Sequence, residues 1–364
     1  MKVHQPDYIL IFIILSLVVF GLAVLSNPSI VLSQNASKES YYFLKHQLYS
    51  VFSGLFLFLI FQKINYKRWQ KASFFLLALS ISLLILVFVP KIGNSYGEAK
   101  RWITWGTFSF QPFELVKLTF ILYLSALLSK KRKSNSQLIK ESLMPFLISI
   151  GVIGFLVLCQ PDFSALVILI LIAATIYFLA GMKISHILAI GSLALIGFFA
   201  LIKSASYRAN RLTVFLHPEM DPQGIGYQIN QALLAIGSGG LFGLGLGHSI
   251  QKWKYLPEPI GDSIFAIVAE ELGLIGAGIL VILFVFLAWR GLKIAKKAPD
   301  RFGSLLAGGI TGWIFIQAFI NIAAISGLTP LTGLPLPFIS YGGSAMVISL
   351  AGAGILVNIS KHTK

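Results

Sequence analysis

Negative charge is scarce in this chain: Asp and Glu together number 13 in 364 residues, against 29 Lys and Arg. Each carboxylate can therefore be asked individually whether it belongs to a loop, a helix end or a reactive site. Cysteine is nearly absent, and Cys159 alone excludes an intrachain disulfide in any redox compartment. Charged residues make up only 12% of the chain while hydrophobic ones reach 56%, with a mean hydropathy of +0.83. Together with repeated apolar stretches of about 20 residues, that balance reads as a polytopic membrane protein.

The expected fold is all-α, with about ten membrane-spanning helices at 8–26, 44–62, 72–90, 112–129, 142–159, 163–180, 185–202, 264–289, 303–325 and 338–358. The first stretch is long, lacks a small-x-small cleavage site and leads into further spans, so it reads as a retained helix rather than a signal peptide. The whole of 1–364 reads as one integral membrane domain, with a large extracytoplasmic segment at 203–261 between the seventh and eighth spans.

The net charge of +16 would suit nucleic acid if the basic residues formed one face. They do not. With both termini in the cytoplasm, most of them fall in the short inner segments around Lys63 to Lys71, Lys130 to Lys140, Arg290 to Arg301 and Lys361 to Lys364. That is the positive-inside pattern, so the basic excess is topological and no nucleic-acid partner is expected. The runs at 130–133 and 293–297 read as anchors beside anionic membrane lipid.

This topology gathers the informative residues on the outer side. Four helices running inward from that side are expected to start with proline and a polar or acidic group: Gln111-Pro112-Phe113-Glu114, Gln160-Pro161-Asp162, Pro257 to Asp262 and Pro335-Leu336-Pro337. Proline suits a first helical turn and acids suit the positive helix end, which accounts for each singly. Several such ends converging also favour a phosphate or pyrophosphate, as an anionic lipid-linked substrate would carry. Asp262 lies just before a long apolar run, where a membrane enzyme would hold a base.

Glu114 and Lys117 stand three residues apart on one face of the fourth span and can pair within the membrane, where ionisable groups usually mark a cavity. Glu270 and Glu271 sit inside the eighth span, and a buried structural network explains them as well as catalysis does. The glycine-rich stretch 237–247 lacks the Gly-Lys-Ser/Thr ending of a phosphate loop, so close packing or a membrane-surface segment is the better reading. Tyr207 to Arg211 and Lys252 to Lys254 add basic and aromatic residues on the same side, as headgroup contacts or as solvated surface.

The strings GEAKRWITWGTFSFQPFELVKL (97–118), QPDFSALVI (160–168), GYQINQALLAIGSGGLFGLGLGHSIQKWKYLPEPIGDSIFAIVAEELGLIG (226–276) and GLTPLTGLPLPFISYGGSAM (327–346) resemble the SEDS family (shape, elongation, division and sporulation) of glycosyltransferases. They span nearly the whole chain in family order and lie nearer the FtsW branch than the RodA branch. The resemblance implies peptidoglycan strand polymerisation from lipid II on the outer face of the bacterial cytoplasmic membrane, by inverting glycosyl transfer with release of undecaprenyl pyrophosphate.

The same resemblance implies Asp262 as general base, and Arg101, Glu114, Lys117, Asp162 and Glu258 as substrate-binding residues. It implies a class B penicillin-binding protein and other division proteins as partners, with a septal role; an elongation role is the alternative. No His, Cys and Asp cluster reads as a fixed metal site, which leaves room only for a divalent cation (Mg2+ or Mn2+) bound with the pyrophosphate. This chain departs from many relatives in having Ile260-Gly261-Asp262-Ser263 where they carry His-Thr before the acid and Phe after it, so Asp262 must be tuned by other neighbours. Phe113 and Ser164 are further departures. Two readings of other classes remain: a lipid flippase, and a noncatalytic scaffold for a cell-wall synthase.

Overall fold

The computed structural model describes residues 4–35, 41–90, 92–96, 99–105, 108–130, 143–181, 213–217, 224, 226–253 and 255–363. Within them, ten helices follow the apolar runs: α1 (Tyr8–Asn35), α2 (Tyr42–Phe61), α3 (Tyr66–Leu86), α4 (Pro112–Leu128), α5 (Met144–Cys159), α6 (Phe163–Leu179), α7 (Tyr227–Ser238), α8 (Ile264–Lys297), α9 (Arg301–Ile325) and α10 (Gly343–Ser360). Six of these, α1, α2, α3, α8, α9 and α10, are long and apolar enough to cross a membrane, and α5 and α6 are shorter apolar helices. The span expected at 185–202, and Tyr207 to Arg211, lie outside the described residues.

Burial sorts the helices into layers. The apolar windows of α10 and α9 are 83% and 67% buried, whereas those of α2 and α3 are 22% buried. The first two, with α4, therefore form the centre, and the outward faces of α2 and α3 carry exposed Phe52, Phe56, Phe74 and Phe75, as lipid-facing surfaces do.

The all-α expectation is corrected between α3 and α4. Residues there form a three-stranded antiparallel sheet, β1 (Gly93–Tyr96), β2 (Ala99–Trp105) and β3 (Phe108–Phe110). Ile103 pairs with Phe110, Thr104 with Ser109 and Trp105 with Phe108. Aromatic and β-branched residues suit a pleated surface, and pairing the strands satisfies backbone groups that a loop at the membrane boundary would leave open.

A second correction concerns Pro335 and Pro337, which do not open a helix. Residues 330–336 run without helix, and α10 begins only at Gly343. Proline disfavours helical backbone in the residue before it, so two prolines separated by one residue hold Leu334 and Leu336 out of the helix.

The glycine-rich stretch after α7 packs closely, as expected for its composition. Leu244 N donates to Glu270 O (2.9 Å), Gly245 N to Glu271 O (3.0 Å), and Leu274 N to Gly240 O (2.9 Å), across a break in α8 at Gly273. Gly243 has φ +83, and a Cβ there would stand 2.2 Å from Glu271 O; a Cβ on Gly273, at φ +66, would stand 2.4 Å from Gly243 N. Only glycine at both positions lets the two backbones meet.

Two ends of the bundle differ in chemistry. At one, Arg290 Nε meets Asp7 Oδ2 (2.7 Å), Tyr66 Oη donates to Asp300 Oδ2 (2.5 Å), and His4 N donates to Lys361 O (2.8 Å), so both terminal segments lie together. The basic ends of α8, Lys296 and Lys297, are on that side. The sheet, the starts of α4, α6, α8 and α10, and the Gly327 to Gly342 connection are at the other.

Candidate active site

Asp262 stands two residues before α8, in a run of turns whose backbone is tied from several directions. Glu258 O accepts from Gly261 N (3.0 Å) and Ser263 N (3.3 Å), with Glu258 itself at φ 47. Ser340 Oγ donates to Gly261 O (2.7 Å), Tyr341 N donates to Ile260 O (2.7 Å), and Asn321 Nδ2 donates to Asp262 O (2.8 Å). The carboxylate of Asp262 is half-buried, with Gln228 Nε2 at 3.4 Å from Oδ1 and 3.5 Å from Oδ2. Gln228 Nε2 also reaches Ser263 Oγ (3.2 Å), which stands 3.5 Å from Asp262 Oδ1. Among the described residues, an amide from α7 and the hydroxyl of the following residue face the acid where many relatives carry a histidine. The start of α8 adds a positive helix end, which favours a charged carboxylate.

Glu114 and Lys117 do pair, Nζ to Oε1 at 2.8 Å, but both are buried and Lys117 has no exposed surface. Lys117 Nζ also donates to Gln317 Oε1 (2.9 Å), as does Trp313 Nε1 (2.9 Å), and it lies 5.2 Å from the Trp313 ring centre. This ammonium is spent on protein partners below the mouth of the site, rather than facing it. Gln317 Nε2 turns the other way and donates to Pro335 O (2.8 Å).

Arg101, on β2, forms a separate pair: Nε lies 3.2 Å from Asp162 Oδ2, and a guanidinium nitrogen donates to Pro161 O (2.7 Å). Asp162 also accepts from Ala165 N (3.1 Å) as the N-cap of α6. Its bond to the first turn accounts for the carboxylate locally, whereas Arg101 remains one third exposed. Glu258 is exposed on the turn beside Gly261.

What joins these groups is the Gly327 to Gly342 connection, which sequence reasoning read as a helix start within one of the family-like strings. Ser164 Oγ donates to Thr332 O, Asn321 Nδ2 to Leu334 O (2.7 Å), Gln317 to Pro335 O, and Leu336 N to Ser340 Oγ (2.8 Å). Gln47 of α2 accepts from Gly342 N (3.2 Å) and donates to Ser340 O (3.1 Å). Gln228, Gln317, Asn321 and Ser340 were the residues missed. One signal was available: Trp313, Gln317 and Asn321 recur every fourth position in an apolar span, placing three polar-capable side chains on one helix face.

Glu270 and Glu271 are a buried network. Glu270 accepts from Ser249 Oγ (2.5 Å), Ile250 N (2.8 Å) and Gln251 N (3.3 Å), and Glu271 meets Lys252 Nζ at 3.3 Å. Lys252 is accordingly buried, which excludes it as a solvated headgroup contact. Among the described residues no three His, Cys, Asp or Glu side chains come together to hold a metal ion.

The sequence model of the FtsW/RodA/SpoVE family, described as a cell cycle protein, matches residues 8–364. Stage V sporulation protein E of Bacillus subtilis is 40% identical over all of this chain and 99% of its own length. A probable peptidoglycan glycosyltransferase FtsW of Geobacter sulfurreducens is 36% identical over all of this chain and 97% of its own. Among solved structures, a chain from a peptidoglycan synthase complex that coordinates polymerization and crosslinking superposes with a TM-score of 0.79 at 26% identity, covering 98% of this chain and 97% of that one. The rod shape determining protein RodA of Thermus thermophilus superposes at 0.72 with 26% identity, over 98% and 96%.

Proposed function

This chain belongs to the FtsW/RodA/SpoVE family, and on that footing we propose that it polymerises peptidoglycan strands from lipid II at the outer face of the cytoplasmic membrane. The observation that carries the reading is Asp262: a half-buried carboxylate at the end of the bundle away from the basic segments, on backbone tied by α9 and the Gly327 to Gly342 connection. The positive-inside rule supports an outward orientation of that end.

In the proposed reaction the 4-hydroxyl of the acceptor sugar attacks the anomeric carbon of the lipid-linked donor. Asp262 takes the hydroxyl proton as the new glycosidic bond forms, the bond from that carbon to the pyrophosphate oxygen breaks with inversion, and undecaprenyl pyrophosphate leaves with the electron pair. Gln228 keeps the carboxylate oriented. Arg101, one third exposed beside Asp162, meets the pyrophosphate charge, and Glu258, exposed on the turn before Asp262, contacts the substrate. A divalent cation, if bound, would be held by the pyrophosphate oxygens rather than by a protein ligand set, since among the described residues no three His, Cys, Asp or Glu side chains come together, and it would supply neutralisation of the leaving group's charge. Glu114 and Lys117 serve the substrate from beneath the site rather than by direct contact. A class B penicillin-binding protein crosslinks the strands as partner; the superposition on a synthase-complex chain supports this. We read its role as septal, with elongation as the alternative; relatives named for sporulation, FtsW and rod shape all match the chain.

A flippase is the reading of another class. It would need charged groups along a path through the bundle, whereas Glu114, Lys117, Glu270 and Glu271 are each paired and buried. Purified protein incubated with lipid II in detergent separates the readings. The expected product is glycan strands, with more formed when the transpeptidase partner is added. Intact lipid II under both conditions would contradict the proposal, because a flippase or a scaffold leaves the substrate unchanged.

A further inference from the structure

The Asp262 backbone and the intramembrane ion pair are connected through one face of α9. Lys117, with no exposed surface, donates to Gln317 Oε1, and the same amide donates from Nε2 to Pro335 O at 2.8 Å. One turn along, Asn321 Nδ2 donates to both Leu334 O (2.7 Å) and Asp262 O (2.8 Å). Gln317 and Asn321 are each 1% exposed.

An amide that spans two carbonyls from separate segments fixes their distance, because both bonds share one donor group. Asn321 therefore sets the gap between the Asp262 backbone and the connection before α10. Gln317 sets the height of that connection against the ion pair, since its oxygen is held by Lys117 and Trp313 and cannot rotate away without leaving Trp313 Nε1 unpaired and the buried Lys117 with only Glu114. Ser340, on the same connection, returns to Gly261 O. The loop carrying the acid is thus clamped on both sides by groups that answer to α9.

We infer that Asn321 and Gln317 are positioning residues for the transfer reaction, with Asn321 holding the Asp262 main chain and Gln317 coupling it to the Glu114–Lys117 pair. The inference rests on Asp262 being the base. It gives the ion pair a function that its burial permits: it anchors the register of the reactive loop instead of binding pyrophosphate. Misplacing a base by about 1 Å can lower turnover about 100-fold while leaving remote substrate contacts in place.

The test is steady-state lipid II polymerisation by the purified full chain with its transpeptidase partner, measured for wild type, Asn321→Leu, Asn321→His and Gln317→Leu. Asn321→Leu keeps nearly the volume and leaves the ion pair untouched, so it serves even if Gln317→Leu fails to fold. The expected result is a kcat about 100-fold lower for Asn321→Leu with KM changed less than about twofold. Asn321→His, whose Nδ1–H stands where one of the two amide N–H groups stood and can serve only one of the two carbonyls, recovers part of the loss, at least about tenfold. A raised KM with unchanged kcat, or variants equal to wild type, would overturn the inference and leave the polymerase reading intact. Wild type that makes no strands would remove both.

Discussion

Asp262→Asn stops strand formation, lowering the polymerisation rate about 10²–10⁴-fold, the usual contribution of a positioned base. Asparagine matches the shape of the acid, and the ties from Asn321, Ser340 and Tyr341 all engage backbone of 260–262, so the loop stays where it is. What disappears is the capacity to accept a proton. The variant should therefore unfold at the same temperature as wild type and bind lipid II equally well while failing to turn it over. Gln228 provides an internal comparison: its 3.4 and 3.5 Å contacts orient the carboxylate without supplying chemistry, so it cannot substitute for it. A normal rate for Asp262→Asn, measured as glycan strands per minute, would move the base elsewhere.

The second large effect is on stability. Lys117→Met removes the partner of a buried carboxylate, and breaking a buried pair this way costs about 3–5 kcal/mol. Glu114 would then sit at the centre of the bundle with no cation, and the acceptor oxygen of Gln317 would lose one of its two donors. Removing both charges behaves differently: replacement of a whole buried pair by neutral side chains of similar volume is often close to neutral. Glu114→Gln with Lys117→Met should thus regain most of the loss, read as the midpoint of denaturant-induced unfolding in detergent. A double variant as unstable as Lys117→Met would mean that the cost comes from lost packing rather than an unpaired charge.

The six membrane-length helices, α1, α2, α3, α8, α9 and α10, were legible because their apolar runs are long and the basic residues sit between them. The Glu114–Lys117 pair was legible for a related reason, since two opposite charges one turn apart in an apolar helix have few other partners. The sheet was not. Its strands are short, mix Lys100 and Arg101 with Trp102 and Trp105, and show no sustained alternation to separate them from a loop. The Gly327 to Gly342 connection was misread because proline at a helix start and proline in an extended segment look alike in sequence. Its role is carried by the carbonyls of Thr332, Leu334 and Pro335, groups that every residue has. The side chains that find those carbonyls, Gln317 and Asn321, did leave a trace in their spacing along α9. The place of Asp262 just before α8 was legible from the apolar run that follows it; the amide of Gln228 beside it comes from a helix more than thirty residues away in sequence.

A carboxylate at position 262 reachable from outside the cell is the central claim, and its location can be measured in a Cys159→Ser background carrying Asp262→Cys. Intact cells are treated with a membrane-impermeant maleimide, and the labelled fraction is compared with that after permeabilisation. The account predicts labelling at 262 in intact cells, with little gained on permeabilisation. Labelling only after the cytoplasm is opened would place the acid on the wrong side of the membrane for joining sugars outside the cell.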